Sequence, residues 1–139
     1  MSQPARRTQR VATVLVVDAD EVAAGELARA LSARAVQVFY TTAAEVARRL
    51  SQEHLFDLVI VDVDLERESY PSLTAALARD RHRCLVLSVP ASTTRLPRGD
   101  LTVDGALRRP LDADRIVSIA SSAALHQTPP SADIDIVAR

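Results

Sequence analysis

The chain has 139 residues, enough for one domain that buries its own core without staples. Its formal net charge of -1 argues against a general polyanion binder, and with 47% hydrophobic but only 3% aromatic residues the core must be built from Val, Leu, Ile and Ala. All 17 basic residues are arginine, and the single cysteine, Cys84, excludes an internal disulfide.

In chain order, residues 1–10 are polar and basic, without the apolar centre of a signal peptide, and are expected to form a disordered arm. Arg6, Arg7 and Arg10 lie there with no interleaved aromatic residue, so direct nucleic-acid binding is not expected. Residues 13–17 predict a first strand, because the aliphatic run Val14-Leu15-Val16-Val17 reads as a buried parallel strand. It ends in Asp18. Ala24, Leu27, Ala28 and Leu31 then repeat at helical spacing over residues 21–33. Residues 36–40 predict a second strand. Thr42 and Glu45 have the spacing of a capping box, opening a helix that turns Ala43, Val46, Ala47 and Leu50 inward.

The run Phe56-Asp57-Leu58-Val59-Ile60-Val61-Asp62 predicts a third strand over 58–61 that ends in a second carboxylate. Asp57 is expected to cap or solvate a loop. Residues 70–79 predict a helix and 84–87 a fourth strand, with Cys84 as a small core residue. From 89 to 104, Pro90, Pro97, Gly99 and Ser92-Thr93-Thr94 interrupt the pattern, so a short or distorted fourth helix is expected. Gly105-Ala106-Leu107 predicts a fifth strand. Asp112 is placed to cap a last helix that buries Ile116, Ile119, Ala120 and Ala123.

The tail 126–139 is expected to be flexible, although the alternation in Asp133-Ile134-Asp135-Ile136-Val137 also suits a strand added to a partner's sheet edge. His54, His82 and His126 lack ligand spacing and are expected on the surface. No apolar stretch reaches the ~18 residues of a membrane span, and a reducing cytoplasm is the expected location.

Strand and helix alternate five times, which predicts an α/β domain over 11–125 with a doubly wound parallel sheet. In such sheets ligands gather at the carboxyl ends of the strands, where Asp18 and Asp62 are delivered.

Four pieces together resemble bacterial response-regulator receiver domains: Val14-Leu15-Val16-Val17-Asp18-Ala19-Asp20, the run ending in Asp62, Leu85-Val86-Leu87-Ser88, and Arg109-Pro110-Leu111-Asp112. The resemblance implies a flavodoxin-like five-stranded sheet of order 2-1-3-4-5. It implies Asp62 as the phosphoacceptor from a histidine kinase, and Mg²⁺ held by Asp18, Asp62 and the backbone carbonyl of Asp64. It also implies Ser88 as the hydroxyl that senses the phosphoryl group and Arg109, before Pro110, as the cation that pairs with it.

Departures accompany the resemblance. The second acid of the metal pair is replaced by Ala19, which should weaken Mg²⁺ because hard-cation sites use few protein oxygens. Asp20 and Asp64 are the acids near enough to compensate. Arg109 stands where the family has lysine. Val89 stands where it generally has alanine or glycine, and Ala106 where many members carry an aromatic switch residue.

The expected function is therefore that of a stand-alone receiver in two-component-type signalling. It would act through contacts with a histidine kinase or other signalling protein, with a homodimer as a further expected partner state. The competing expectation is a phosphorylation-independent pseudo-receiver that serves as a constitutive interaction or scaffold module. An enzyme is not expected: the chain has three glycines, none forms a phosphate loop after the first strand, and no nucleophile–histidine pair is evident.

Overall fold

The protein is described by a computed structural model that covers residues 11–80, 82–96, 103–125 and 134–137. The expected arm 1–10 and His126 lie outside the described residues.

Five parallel strands form the sheet: β1 (Thr13–Val17), β2 (Gln37–Thr41), β3 (Leu58–Asp62), β4 (Leu85–Val89) and β5 (Gly105–Arg108). Their order is β2-β1-β3-β4-β5, as expected, and a short antiparallel β6 (Ile136–Val137) extends the sheet beyond β5. Both faces are covered, which explains the unbroken aliphatic runs. Val14, Val16, Leu58, Ile60 and Val86 pack toward α1 (Glu21–Ser32) and α5 (Ala113–Leu125). Leu15, Val17, Val59, Val61 and Leu87 pack on the other face, toward α2 (Ala44–Glu53) and α4 (Leu73–Ala78). Every residue of β1 and β3 is buried. At ~1.5–3 kcal/mol for each large aliphatic side chain, these central strands dominate the stability of the fold.

Helix α1 starts where the Asp20 side chain accepts the Ala23 N–H at 3.1 Å, and it buries Ala24, Ala28 and Leu31. Helix α5 follows Asp112, whose carboxylate accepts the Asp114 N–H at 3.1 Å, and it buries Ile116, Ile119, Ala120 and Ala123 as the spacing predicts.

Several local expectations are corrected. The capping box at Thr42 does not form. Strand β2 runs on through Thr41, so the helix is capped at Ala43, which offers no side-chain bond. Ala43 is exposed, Ala47 is buried, and Val46 and Leu50 are half-buried. The helix expected over 70–79 is present as the shorter α4, and a further short helix that was not expected, α3 (Val63–Glu68), lies directly at the end of β3, the two being on either side of a cis Tyr70-Pro71 bond. The buried Glu66 carboxylate ties them together, accepting the Ser72 hydroxyl at 2.5 Å and the Thr74 N–H at 2.8 Å.

Between β4 and β5, residues 90–96 form a turn and irregular backbone, and the expected distorted helix is absent from the described residues. Pro90 and the Ser-Thr-Thr run disfavour a helical start there. Of the tail expected to be flexible, only residues 134–137 are described. This segment lies on the protein's own β5, because Ile134 is buried against the core and Asp135 is tied to two arginines.

Candidate functional site

Strand register brings the predicted residues together. Val17 pairs with Val61 and Asp62 with Ser88, so Asp18 and Asp62 each lie one residue past the same cross-strand pair. Side chains alternate along a strand. Asp18, Asp62 and Ser88 therefore share the face of Val16, Ile60 and Val86, the face covered by α1 and α5. Arg109 follows β5 by one residue, and its N–H donates to the Val89 carbonyl at 2.8 Å.

Asp62 is 4% exposed. One of its oxygens accepts the Asp64 N–H at 3.2 Å, which makes Asp62 the cap of α3, and the same oxygen lies 3.6 Å from Arg109 Nη1. The other end of the guanidinium reaches Asp64 at 4.0 Å. Asp18 is buried and accepts the Asp20 N–H at 2.9 Å. Burial pushes the Asp18 carboxyl up from the usual range, opposed by that N–H bond. The neighbouring Asp62 charge raises it further, and Arg109 draws it down. Ser88 is 1% exposed and lies beneath the acids on this face, whereas Val89, also 1% exposed, packs into the cluster on the opposite face of the sheet and does not crowd Asp62. Beside it, a groove of about 670 Å³ opens between α1 and the Arg109-Pro110-Leu111 segment, lined also by Asp18, Leu27 and Ala91.

The donor set implied for Mg²⁺ is incomplete. Among the described residues, no group of three or more Asp, Glu, His or Cys is placed to hold a metal ion. Asp20 is committed to capping α1, and Asp64 lies near Arg67 and Arg109. Asp64 also sits in the first turn of α3. With Ala19 contributing no oxygen, the residues present do not fit a tight Mg²⁺ centre.

Two other residues, Asp57 and His82, are placed where sequence reasoning did not put them. Asp57 is 1% exposed rather than in a solvated loop. It accepts the Thr13 N–H at 2.8 Å and pairs with Arg83 at 3.3 Å, pinning β1 to the start of β3. His82 is not a surface histidine. Its Nδ1 accepts the Phe56 N–H at 3.2 Å and its Nε2 lies 2.5 Å from Ser51 Oγ, which donates to Asp80 at 2.6 Å. This is a serine–histidine pair that the sequence does not announce, but it does not form a nucleophile. The main-chain donor occupies Nδ1, so neutral His82 carries its proton on Nε2 and donates to a serine that is 2% exposed. His54 is exposed and packs on Phe39 with ring centroids 4.8 Å apart. Cys84 is buried and pushed up to about 12, by burial first and the Asp104 charge second, which leaves an inert thiol.

A five-stranded parallel sheet in the order 2-1-3-4-5, with paired acids at its carboxyl rim, is the fold of response-regulator receiver domains. Solved structures carry this likeness. A response regulator from Burkholderia pseudomallei, crystallised with a phosphorylated aspartic acid, a calcium ion and citrate, is 25% identical, with a TM-score of 0.66 over 82% of this chain and 69% of that one. The signal receiver domain of an HD domain-containing protein from Pseudomonas fluorescens Pf-5 is 23% identical, with a TM-score of 0.64 over 85% and 98%. A CheY-like receiver domain from Methylobacillus flagellatus is 20% identical, with a TM-score of 0.62 over 81% and 98%. No family model and no curated protein matches the sequence. No helix among the described residues is long and apolar enough to cross a membrane.

Proposed function

We propose that the protein is a receiver module of two-component-type signalling that acts through protein contacts, with Asp62 as its phosphoryl acceptor. The observation that supports this best is the meeting of Asp18, Asp62 and Arg109 at one rim, with the Arg109 guanidinium 3.6 Å from the Asp62 carboxylate. In this reading a histidine kinase or another phosphoryl donor presents a phosphohistidine. An Asp62 oxygen attacks phosphorus, the P–N bond breaks, and the departing imidazole takes a proton from solvent. Arg109 neutralises the transferred oxygens, which suits a planar, bidentate cation. Ser88 donates its hydroxyl to one of them.

The test is incubation with phosphoramidate or acetyl phosphate in Mg²⁺ buffer, read by intact mass. One added phosphate in the wild type and none in Asp62→Asn is the expected result. No adduct with either donor removes the acceptor role.

A second reading, a constitutive pseudo-receiver, is favoured by Ala19 and by the incomplete donor set. It expects Asp62→Asn and Asp62→Ala to leave partner binding unchanged. Loss of binding in both folded variants removes it.

A further inference from the structure

Strand β6 is held to the β5 edge by a built recognition site. The Asp135 carboxylate accepts the Arg108 main-chain N–H at 2.7 Å through one oxygen and pairs with Arg115 Nη1 at 2.5 Å through the other. Ile134, just before β6, is 6% exposed and joins the core cluster of β1, β3 and α5. Ile136 packs against the opposite cluster. Opposite the strand stands Gly105. A Cβ at that position would lie 2.3 Å from the Ile136 carbonyl oxygen and 2.4 Å from the Ile134 side chain, so only glycine admits a strand this close. The slot thus offers two apolar seats, a cation and an N–H that read one carboxylate, and a bare backbone that allows close approach. The main-chain ladder is only two pairs long, Gly105 with Val137 and Ala106 with Ile136. Most of the selectivity therefore lies in the side chains, as in strand addition generally.

We propose that the β5 edge is a peptide-docking slot for an extended segment of the pattern branched aliphatic–Asp–branched aliphatic, and that Ile134–Val137 is its resident, self-inhibiting occupant. The partner it fits is a protein bearing an exposed strand of that chemistry, argued from the complementarity of Arg108 and Arg115 to a single flanked acid. Binding would require the resident strand to leave. The slot reaches the phosphoryl-acceptor rim through adjacent residues, since Arg108 carries the Asp135 contact and also donates its Nε–H to the Thr93 carbonyl at 2.8 Å, and Arg109 carries the contact with Asp62.

The experiment uses full-length protein and a fluorescent peptide of residues 131–139, Ser-Ala-Asp-Ile-Asp-Ile-Val-Ala-Arg. In the wild type the resident strand competes, so binding is weak. In full-length Asp135→Ala, and separately Ile134→Asp, the resident is weakened and the peptide binds at least about tenfold tighter, ~1.4 kcal/mol. A peptide in which the residue matching Asp135 is alanine should lose at least about tenfold on the same variants. Adding Gly105→Val to either variant, with the fold checked by circular dichroism, should abolish binding. Equal binding of the two peptides, binding that survives Gly105→Val, or no saturable binding to either released variant overturns the proposal. A released variant that dimerises and ignores the peptide overturns it too.

Discussion

Ala19 stands where the resemblance implies a metal-binding carboxylate, and among the described residues no acid is placed to take its part. Asp20, next along the chain, spends its oxygen on the Ala23 N–H, and that bond starts α1. An exchange of roles would leave the helix uncapped, at a cost of ~0.5–2 kcal/mol. Restoring the acid at position 19 is therefore the simplest repair. Ala19→Asp is expected to tighten Mg²⁺ at least about tenfold in calorimetric titration. No tightening would mean that Asp18 and Asp62 do not form the other side of a cation site. Arg109 would still hold Asp62 in the variant, since that contact comes from the far end of β5. The residues of the site were legible one by one because each closes an aliphatic run or sits beside a proline. Their mutual commitments were not. That Asp64 is drawn to Arg67 and Arg109, and that it lies within a helix, depends on α3 beginning at Val63, which periodicity did not announce.

Among the elements, α2 has the plainest unused stabilisation. Its cap, Ala43, has the extended backbone of a cap residue (φ -113°, ψ 127°) but no side-chain oxygen to accept an N–H. Ala43→Asp is expected to raise stability by ~1 kcal/mol in urea unfolding, with the acid also favoured by the helix dipole. An unchanged midpoint would show that the Thr41 hydroxyl, which accepts the Ala43 N–H at 3.1 Å, already fixes this turn. The strands and the long helices α1 and α5 were readable because an aliphatic run or a helical stripe is set by local burial. Of the short helices, α4 was read only as a longer helix over 70–79 and α3 was not read at all. Six residues each are too few to show a period, and α3 and α4 are fixed by the remote Glu66–Ser72–Thr74 contacts instead. β6 was left open for a related reason: the alternation of Ile134 and Ile136 was visible, but which sheet edge would receive it depends on Gly105 and Arg115, distant in sequence.

For the molecule as a whole, the half-buried His82 and the buried Asp18 oppose one another as pH falls. Burial depresses His82 below 6.5, against the Asp80 charge that raises it, so the folded state favours the neutral ring. Its contribution is complete above about pH 6.5, where the unfolded ring is also neutral, and declines as pH drops from there toward the lower folded value. Protonation of Nδ1 would remove the acceptor of the Phe56 N–H and loosen the seam between α2 and the start of β3. Asp18 works in the other direction. Its carboxyl is raised above 3.8, so its ionised form costs stability, and that cost is relieved as pH falls through its folded value. His82→Asn retains an acceptor for Phe56 without the titration. Its urea midpoint is expected to start below wild type but to change less between about pH 7.5 and about pH 5.5. Parallel pH slopes would remove His82 from this account.

The antiparallel strand beyond β5 has a consequence for how copies of the protein meet when crowded. A sheet can grow into a stack only if it presents free hydrogen-bonding margins on both sides. Among the described residues, one margin is closed by a two-residue ribbon too short to template another chain, and β2 is the full-length open border. Encounters between copies through their borders should therefore stop at pairs and not propagate into fibres.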